Sequence, residues 1–233
     1  IHKENPISDL KRKKIDILLN LSASPFTFKK FQLRNKVSSF AAQYLQVPLL
    51  YINQVGANDD LIFDGNSFII NKNGSKIKQL KAFSEDTTCW DINENLSLVD
   101  KNKSSEISSV FDALVLGVKD YACKCGFKSA LIGLSGGIDS ALVSVIATAA
   151  LGSENVFCVS MPSKWSSENS KIDAKDLVKR LNICLSTISI ENIMSSFENS
   201  FKESLDLKVE ELTNQNIQSR IRGTLLMALA NQE

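Results

Sequence analysis

The chain has 233 residues, 43% of them hydrophobic and 23% charged, with a formal net charge of +1. That composition is ordinary for a globular protein, and the length allows two domains at about 150 residues each. There is no basic excess of the kind nucleic-acid binding needs and no apolar run of about 18 residues that would span a bilayer, so neither partner is expected.

The start, IHKENPISDLKRKKI, is polar and carries no signal-peptide pattern. DILLN (16–20) predicts a short buried strand, followed by the break SASPF. Across 27–46, Phe28, Phe31, Leu33, Val37, Phe40, Ala41, Tyr44 and Leu45 recur at mostly helical spacing. VPLLYI (47–52) predicts a strand, and NQVGANDDLIFDG a long polar loop. FIINKNGSKIKQL predicts a β-hairpin turning at Asn73-Gly74 in type I′ geometry. From 84 to 103 the chain is polar and aperiodic, an interdomain connection with Trp90 as an anchor and with Glu85, Asp86 and Asp91 solvated.

After Ser104 helix and strand alternate. Helices are predicted at 106–124, 138–151, 168–181 and 212–230, and strands at 129–134, 155–161 and 184–190. Continuous apolar strands between helices imply a parallel sheet covered on both faces. Ligands of such sheets sit beyond the carboxyl ends of the strands. The loops at 135–140, 162–168 and after 190 are therefore expected to share one crevice.

Five cysteines, Cys89, Cys123, Cys125, Cys158 and Cys184, form no regular framework. Cys158 and Cys184 lie in apolar runs and read as small core residues. Cys123 and Cys125 point to different faces of one helix, and no second Cys/His pair completes a metal site. A reducing cytoplasm suits this usage. His2 is the single histidine, which leaves no Ser-His or Cys-His catalytic pair.

LIGLSGGIDSA (131–141) carries the most chemistry. SGGIDS falls between a predicted strand and a predicted helix, where unpaired first-turn N–H groups and the helix dipole favour an anion. Gly136 and Gly137 allow a concave backbone, and Ser135 and Ser140 add hydroxyl donors. Asp139 would repel a bare phosphate, which implies a bridging Mg²⁺. The other reading is a loop in which Ser or Asp simply caps the helix. Neither G-x-x-x-x-G-K-[ST] nor G-x-G-x-x-G occurs. Arg220 and Arg222 interrupt an apolar helix, and a phosphate or carboxylate partner would make sense of them. For Arg222 an internal salt bridge or a solvated face stays open.

SGGIDS resembles the pyrophosphate-binding loop of the N-type ATP pyrophosphatases, which include NAD, GMP and asparagine synthetases and tRNA-thiolating enzymes. VFCVSMPSKWSSENSKIDAKDLVKRLNI is similar to the NAD synthetase segment in which a strand ends in M-P-S before a serine-rich loop. LTNQNIQSRIRGTLLMALAN is similar to that family's helix carrying N-x-Q-x-R-x-R. The resemblance implies ATP binding by Gly133, Leu134, Ser135, Gly136, Gly137, Ile138, Asp139 and Ser140, with Mg²⁺ held in part by Asp139. It implies deamido-NAD contacts from Asn216 and Arg220, and places Met161, Pro162 and Ser163 by the adenine. Lys164, Ser166 and Ser167 read as a solvated loop.

NLSASPF, VPLLYINQVGANDDLIFDGNSFI and the Asn-Gly hairpin are similar to the later part of a carbon–nitrogen hydrolase (nitrilase-like) domain. In glutamine-dependent NAD synthetases that domain precedes the synthetase and supplies ammonia from glutamine, using a cysteine nucleophile with glutamate and lysine. Cys89 lies outside the family's cysteine motif, so these catalytic residues are expected upstream of Ile1. Ser24 and Lys30 stand where the family holds glutamine, and from the residues alone read equally as a helix cap and a solvated cation. Asn53, Gln54 and Asp64 read as loop-shaping residues.

The expectation is an α/β chain. Residues 1–100 form the carboxyl-terminal part of a nitrilase-like α/β sandwich with a linker, and 101–233 the start of a doubly wound parallel-sheet ATP-pyrophosphatase domain. Ile1 in place of Met, and a stop directly after IRGTLLMALAN, predict an internal fragment, itself inactive. The implied parent is a cytoplasmic homo-oligomeric ligase that amidates deamido-NAD with ATP and glutamine. Another enzyme of the same loop class, such as a GMP synthetase or a tRNA-modifying type, and a non-catalytic nucleotide-binding fragment are the alternatives.

Overall fold

The computed structural model of the chain describes residues 6–93, 105–205 and 210–232. They form two compact units, residues 1–121 and 122–233. Trp90 and the acidic residues beside it fall within the described part; the rest of the expected connection, 94–103, lies outside the described residues.

The first unit opens with a short helix that the sequence pattern did not predict, α1 (Pro6–Arg12), followed by β1 (Leu18–Ser22). After α2 (Lys30–Leu45) come β2 (Leu49–Asn53), β3 (Val55–Asn58), β4 (Leu61–Asp64), β5 (Phe68–Ile70) and β6 (Lys76–Gln79). One sheet runs β1-β2-β5-β6, with β1 parallel to β2 and the other pairs antiparallel. Ala41 and Ala42 of α2 close on Leu49, Tyr51, Phe68 and Ile70, and the Tyr51 and Phe68 rings stack at 5.0 Å.

Three expectations are corrected here. Strand β1 starts two residues later than DILLN and is not buried: Leu19 is 55% and Leu21 74% exposed. Successive side chains of a strand face opposite ways, so Leu18 reaches the core while Leu19 and Leu21 face the side that no described residue covers. The segment expected as a long loop folds into the antiparallel pair β3–β4, reversed at Asp59 with φ 49°. The β5–β6 hairpin forms, but only Gly74 of its Asn-Gly pair has a positive φ, 85°. The Gly74 N–H donates to the Asn71 carbonyl and the Asn71 N–H to that of Ser75, a longer turn than type I′, which needs both central residues left-handed.

The connection from β1 to α2 is held by a buried ion pair. Arg34 Nη1 lies 2.7 and 2.9 Å from the two Asp64 oxygens, and Nη2 donates to the Ser24 and Pro25 carbonyls at 2.8 and 3.1 Å. Asn53 receives the Ser24 N–H at 2.8 Å and donates back to the Ser24 carbonyl at 3.2 Å. Helix α3 (Glu106–Cys125) belongs to this unit as far as Tyr121, where the Asp120 carboxylate accepts the Ala57 N–H at 2.6 Å.

The second unit contains β7 (Ala130–Gly133), α4 (Ile138–Leu151), β8 (Val156–Ser160), α5 (Glu168–Leu181), β9 (Cys184–Thr187), α6 (Glu191–Leu205) and α7 (Glu211–Ala230). The strands are parallel in the order β7-β8-β9, with Ala130 opposite Val156 and Phe157 opposite Cys184. Strand periodicity assigns the faces. Leu134 and Cys158 pack with Ala174 and Val178 of α5, whereas Val159 and Met161 pack with Met194 of α6 and Ile221 of α7. Helix α4 joins the α5 side through Ser144, fully buried, whose hydroxyl lies 3.7 Å from Cys158 Sγ.

Helix α6 was expected only as a loop after 190. Its serines and asparagines disguise Ile190, Met194 and Phe197, which recur at helical spacing. Cys184 is exposed rather than core, because β9 is the last strand of the described sheet and that residue meets no covering helix.

Removing one partner of the Arg34–Asp64 pair leaves a buried charge unmatched. Arg34→Met is expected to lower stability by about 3–5 kcal/mol, and Arg34→Met with Asp64→Leu to recover most of it. Chemical denaturation followed by tryptophan fluorescence and circular dichroism reads the difference.

Candidate functional site

Strand β7 does not stop at Gly133: the Leu134 N–H donates to the Val159 carbonyl at 2.9 Å and carries the sheet one residue further. The backbone then turns through Gly136, with φ 82°, into α4, whose N-cap is Gly137 with no side-chain cap bond. The simple capping reading of SGGIDS is therefore corrected, and among the described residues no side chain accepts from the first-turn amides of Ile138, Asp139 and Ser140. The Ser140 hydroxyl spans the turn instead. It receives the Ser135 N–H at 3.3 Å, lies 3.1 Å from Ser135 Oγ, and donates to the Gly137 carbonyl at 3.0 Å. The Gly137 N–H closes the ring on Ser135 Oγ at 3.2 Å.

The turn is wedged against α5. A Cβ on Gly136 would lie 2.2 Å from the Ser170 carbonyl oxygen, so the turn or the start of α5 would have to shift to admit one. Ser167 caps α5 by accepting the Ser170 N–H at 3.2 Å. Ahead of it, Ser163 and Ser166 bond reciprocally, each backbone N–H at 3.0 Å from the other's oxygen. Ser166 and Ser167 thus shape the loop, while Lys164, partly exposed, lies 3.7 Å from Glu198.

A hollow of about 460 Å³ opens between these pieces. Gly133, Leu134 and Ser135 line it from the loop, Ser160, Met161 and Pro162 from the end of β8, and Ser166, Ser170 and Lys171 from α5. Its remaining wall is α7, through Ser219, Arg222, Gly223 and Leu226. The loops at 135 and 162 do share one crevice. The third contributor is α7 and not the segment after 190, because 191–205 is wound into α6.

Among the described residues no carboxylate lines this hollow. Lys171 is paired with Glu168 at 2.7 Å, an interaction that holds the Glu168 carboxyl below its usual range. Arg222 is half-buried, its Nε donating to the Met161 carbonyl at 3.1 Å and its Nη2 to Gln218 Oε1 at 3.3 Å. Neither the internal salt bridge nor the solvated face considered for Arg222 is what forms. Gln218 and Arg222 are four apart on one helical face, a spacing visible in the sequence, whereas the burial that makes the arginine informative was not.

The other expected residues are more scattered. Asp139 and Ile138 are exposed on the first turn of α4, Ile138 to 80%. Among the described residues no group of three His, Cys, Asp or Glu is placed to hold a metal. Asp139 alone suits an ion that arrives with its ligands on a nucleotide, the manner in which Mg²⁺ binds through one carboxylate and phosphate oxygens. Asn216 and Arg220 are exposed on α7, and Arg220 lines a separate groove of about 230 Å³ with Ile217 and Phe197. In the first unit Ser24 is part of the Arg34 network, its hydroxyl receiving Arg34 Nε at 3.2 Å, so it does not cap a helix. Lys30 opens α2, and neither residue lines the cavity of about 550 Å³ formed there by Phe26, Phe31, Lys76 and Phe83.

A parallel sheet whose strand ends meet a hollow without acidic groups, rimmed by a glycine turn, defines the class of α/β proteins that receive anionic ligands at that edge. Comparison with known proteins narrows the class. The NAD synthase family model matches residues 110–233, and the carbon-nitrogen hydrolase model matches 1–99. A glutamine-dependent NAD(+) synthetase of Synechocystis sp. is 43% identical over 99% of this chain and 42% of its own length. One from Thermotoga maritima is 38% identical over 94% of this chain and 44% of its own. The solved glutamine-dependent NAD+ synthetase of Acinetobacter baumannii, in complex with ADP, matches with a TM-score of 0.85 at 34% identity, over 97% of this chain and 44% of that one. The chain belongs to the NAD synthase family. It spans less than half the length of these relatives.

Gly136→Ala is expected to destabilise the second unit by about 1–3 kcal/mol, since the new methyl group meets both a left-handed φ and the Ser170 carbonyl. Gly137→Ala, at φ −83° and 3.3 Å from the Ser135 hydroxyl, is expected to cost less. Thermal unfolding of the two variants gives the order.

Proposed function

We propose that this chain is part of an enzyme that converts deamido-NAD to NAD, using ATP and ammonia released from glutamine. In the first step a carboxylate oxygen of the nicotinate group bonds to the α-phosphorus of ATP while the bond to pyrophosphate breaks. In the second, ammonia attacks the activated acyl carbon, AMP leaves with the bonding electrons, and the surplus proton passes to solvent.

The observation that carries this reading is the SGGIDS turn at the rim of a hollow lined by no carboxylate, in a chain of the NAD synthase family. The first-turn amides of α4 and the hydroxyls of Ser135 and Ser140 would hold the pyrophosphate as charge develops on it. Gly133 and Leu134, together with Met161 and Pro162, would wall the nucleoside. Mg²⁺ would bind to Asp139 and phosphate oxygens and neutralise part of the leaving charge. Asn216 and Arg220 would contact deamido-NAD, and Ser24 and Lys30 would hold glutamine; the match of 1–99 to carbon-nitrogen hydrolases supports that source of ammonia.

Pyrophosphate release by the intact protein tests the reading. Deamido-NAD with ATP is expected to support turnover, and xanthosine monophosphate or aspartate is not. Turnover with either of those but not with deamido-NAD overturns the substrate assignment. Asp139→Ala is expected to lower kcat by roughly 10²-fold or more.

A further inference from the structure

Arg222 is the cation of the cleft for which the reading above provides no task. Its two hydrogen bonds go to neutral acceptors, the Met161 carbonyl and the Gln218 amide oxygen. They fix the guanidinium in direction without balancing its charge. Among the described residues no carboxylate lines the hollow, and the other cation in it, Lys171, is engaged by Glu168. Burial pulls the Arg222 pKa below the ordinary arginine value, with no acidic neighbour opposing it. A guanidinium always carries its charge in proteins. Holding one half out of water beside neutral partners is unfavourable until an anion arrives, and such a site discriminates sharply in favour of a ligand that brings one.

The position of the side chain indicates which part of the ligand it meets. The bond from Nε to Met161 holds the guanidinium at the carboxyl end of β8, on the side of the hollow walled by Gly133, Met161 and Leu226. Those surfaces are apolar and suit a purine. Ser135 brings the loop to the wall of the hollow, and the uncapped amides of α4 begin three residues further on, at Ile138. We propose that Arg222 binds the α-phosphate, the nucleoside-monophosphate end of the nucleotide, and leaves the two terminal phosphates to the SGGIDS loop. This division of labour rests on the nucleotide reading given above. It implies that Arg222 keeps hold of the adenylyl group after pyrophosphate has gone, which the loop by itself would not do.

Calorimetric titration of the intact protein with AMP, inorganic pyrophosphate and Mg-ATP tests it. Arg222→Gln is expected to weaken AMP and Mg-ATP by roughly tenfold to a hundredfold and to leave pyrophosphate nearly unchanged. Arg222→Lys keeps the charge without the planar fork, and should recover part of the AMP affinity. It also serves as the deciding variant if Arg222→Gln does not fold. Gly136→Ala should show the reverse pattern, weakening pyrophosphate more than AMP. Unaltered AMP binding by Arg222→Gln overturns the proposal. Equal losses for AMP and pyrophosphate do so as well, since they would make Arg222 a strut for the wall and not a ligand. Wild-type protein that binds neither AMP nor Mg-ATP overturns the nucleotide reading itself, a different result from either of these.

Discussion

Gly136 and the Ser170 carbonyl stand so close that one methyl group would have no room between them. The contact ties the turn after β7 to the first turn of α5, and so joins two elements separated in sequence by a helix and a strand. Much else is arranged around it. Because the turn is pressed against α5, the serine hydroxyls satisfy its amides from within: Ser140 receives the Ser135 N–H and Ser135 receives that of Gly137. Because α5 must begin where it does, the Ser163–Ser166 turn and the Ser167 cap have to bring the chain back from the end of β8 in a handful of residues. The hollow exists because these short connections leave the strand ends uncovered, with α7 alone closing the far side.

The sequence was most informative where backbone and side-chain signals agree. The bounds of α4 and α5 follow from Gly137 before one helix and Ser167 before the other, each at the start of a periodic run. It was least informative where a local pattern fits two structures. Leucines in a row do not reveal which face of β1 is covered, and the polar residues of 53–65 outweighed the alternation that makes β3 and β4 a pair. Serine-rich α6 failed for the same reason. In the site, the glycine turn was legible because glycine chemistry is local. Arg222 stood out only as an arginine in an apolar helix and Lys171 not at all, since their place in the hollow depends on burial and, for Arg222, on the distant Met161 carbonyl.

The two units solve the placement of charge in opposite ways. In the first, Arg34 is fully occupied by Asp64 and three oxygens of Ser24 and Pro25, which makes it a structural brace between β4, α2 and the preceding loop. Such a pair costs desolvation on both sides and is tolerated because every donor has a partner. In the second, Arg222 has bonds but no counter-charge. Both arginines sit on helices against a sheet, and only the surroundings separate a brace from a receptor. Asp64, expected merely to shape a loop, turns out to be the acid on which the brace depends.

Beneath α4, Ser144 meets Cys158 in the one place where a thiol is enclosed among the described residues. Burial raises that thiol's pKa, so it stays protonated and weakly nucleophilic at neutral pH. Cys89, Cys123, Cys125 and Cys184 are all exposed. Alkylating labels and mild oxidants would therefore mark these four first, Cys184 at the sheet's edge among them, and leave Cys158 on the central strand unmodified. A fluorophore could be attached at one of those outer sulfurs while the interior one goes unmodified.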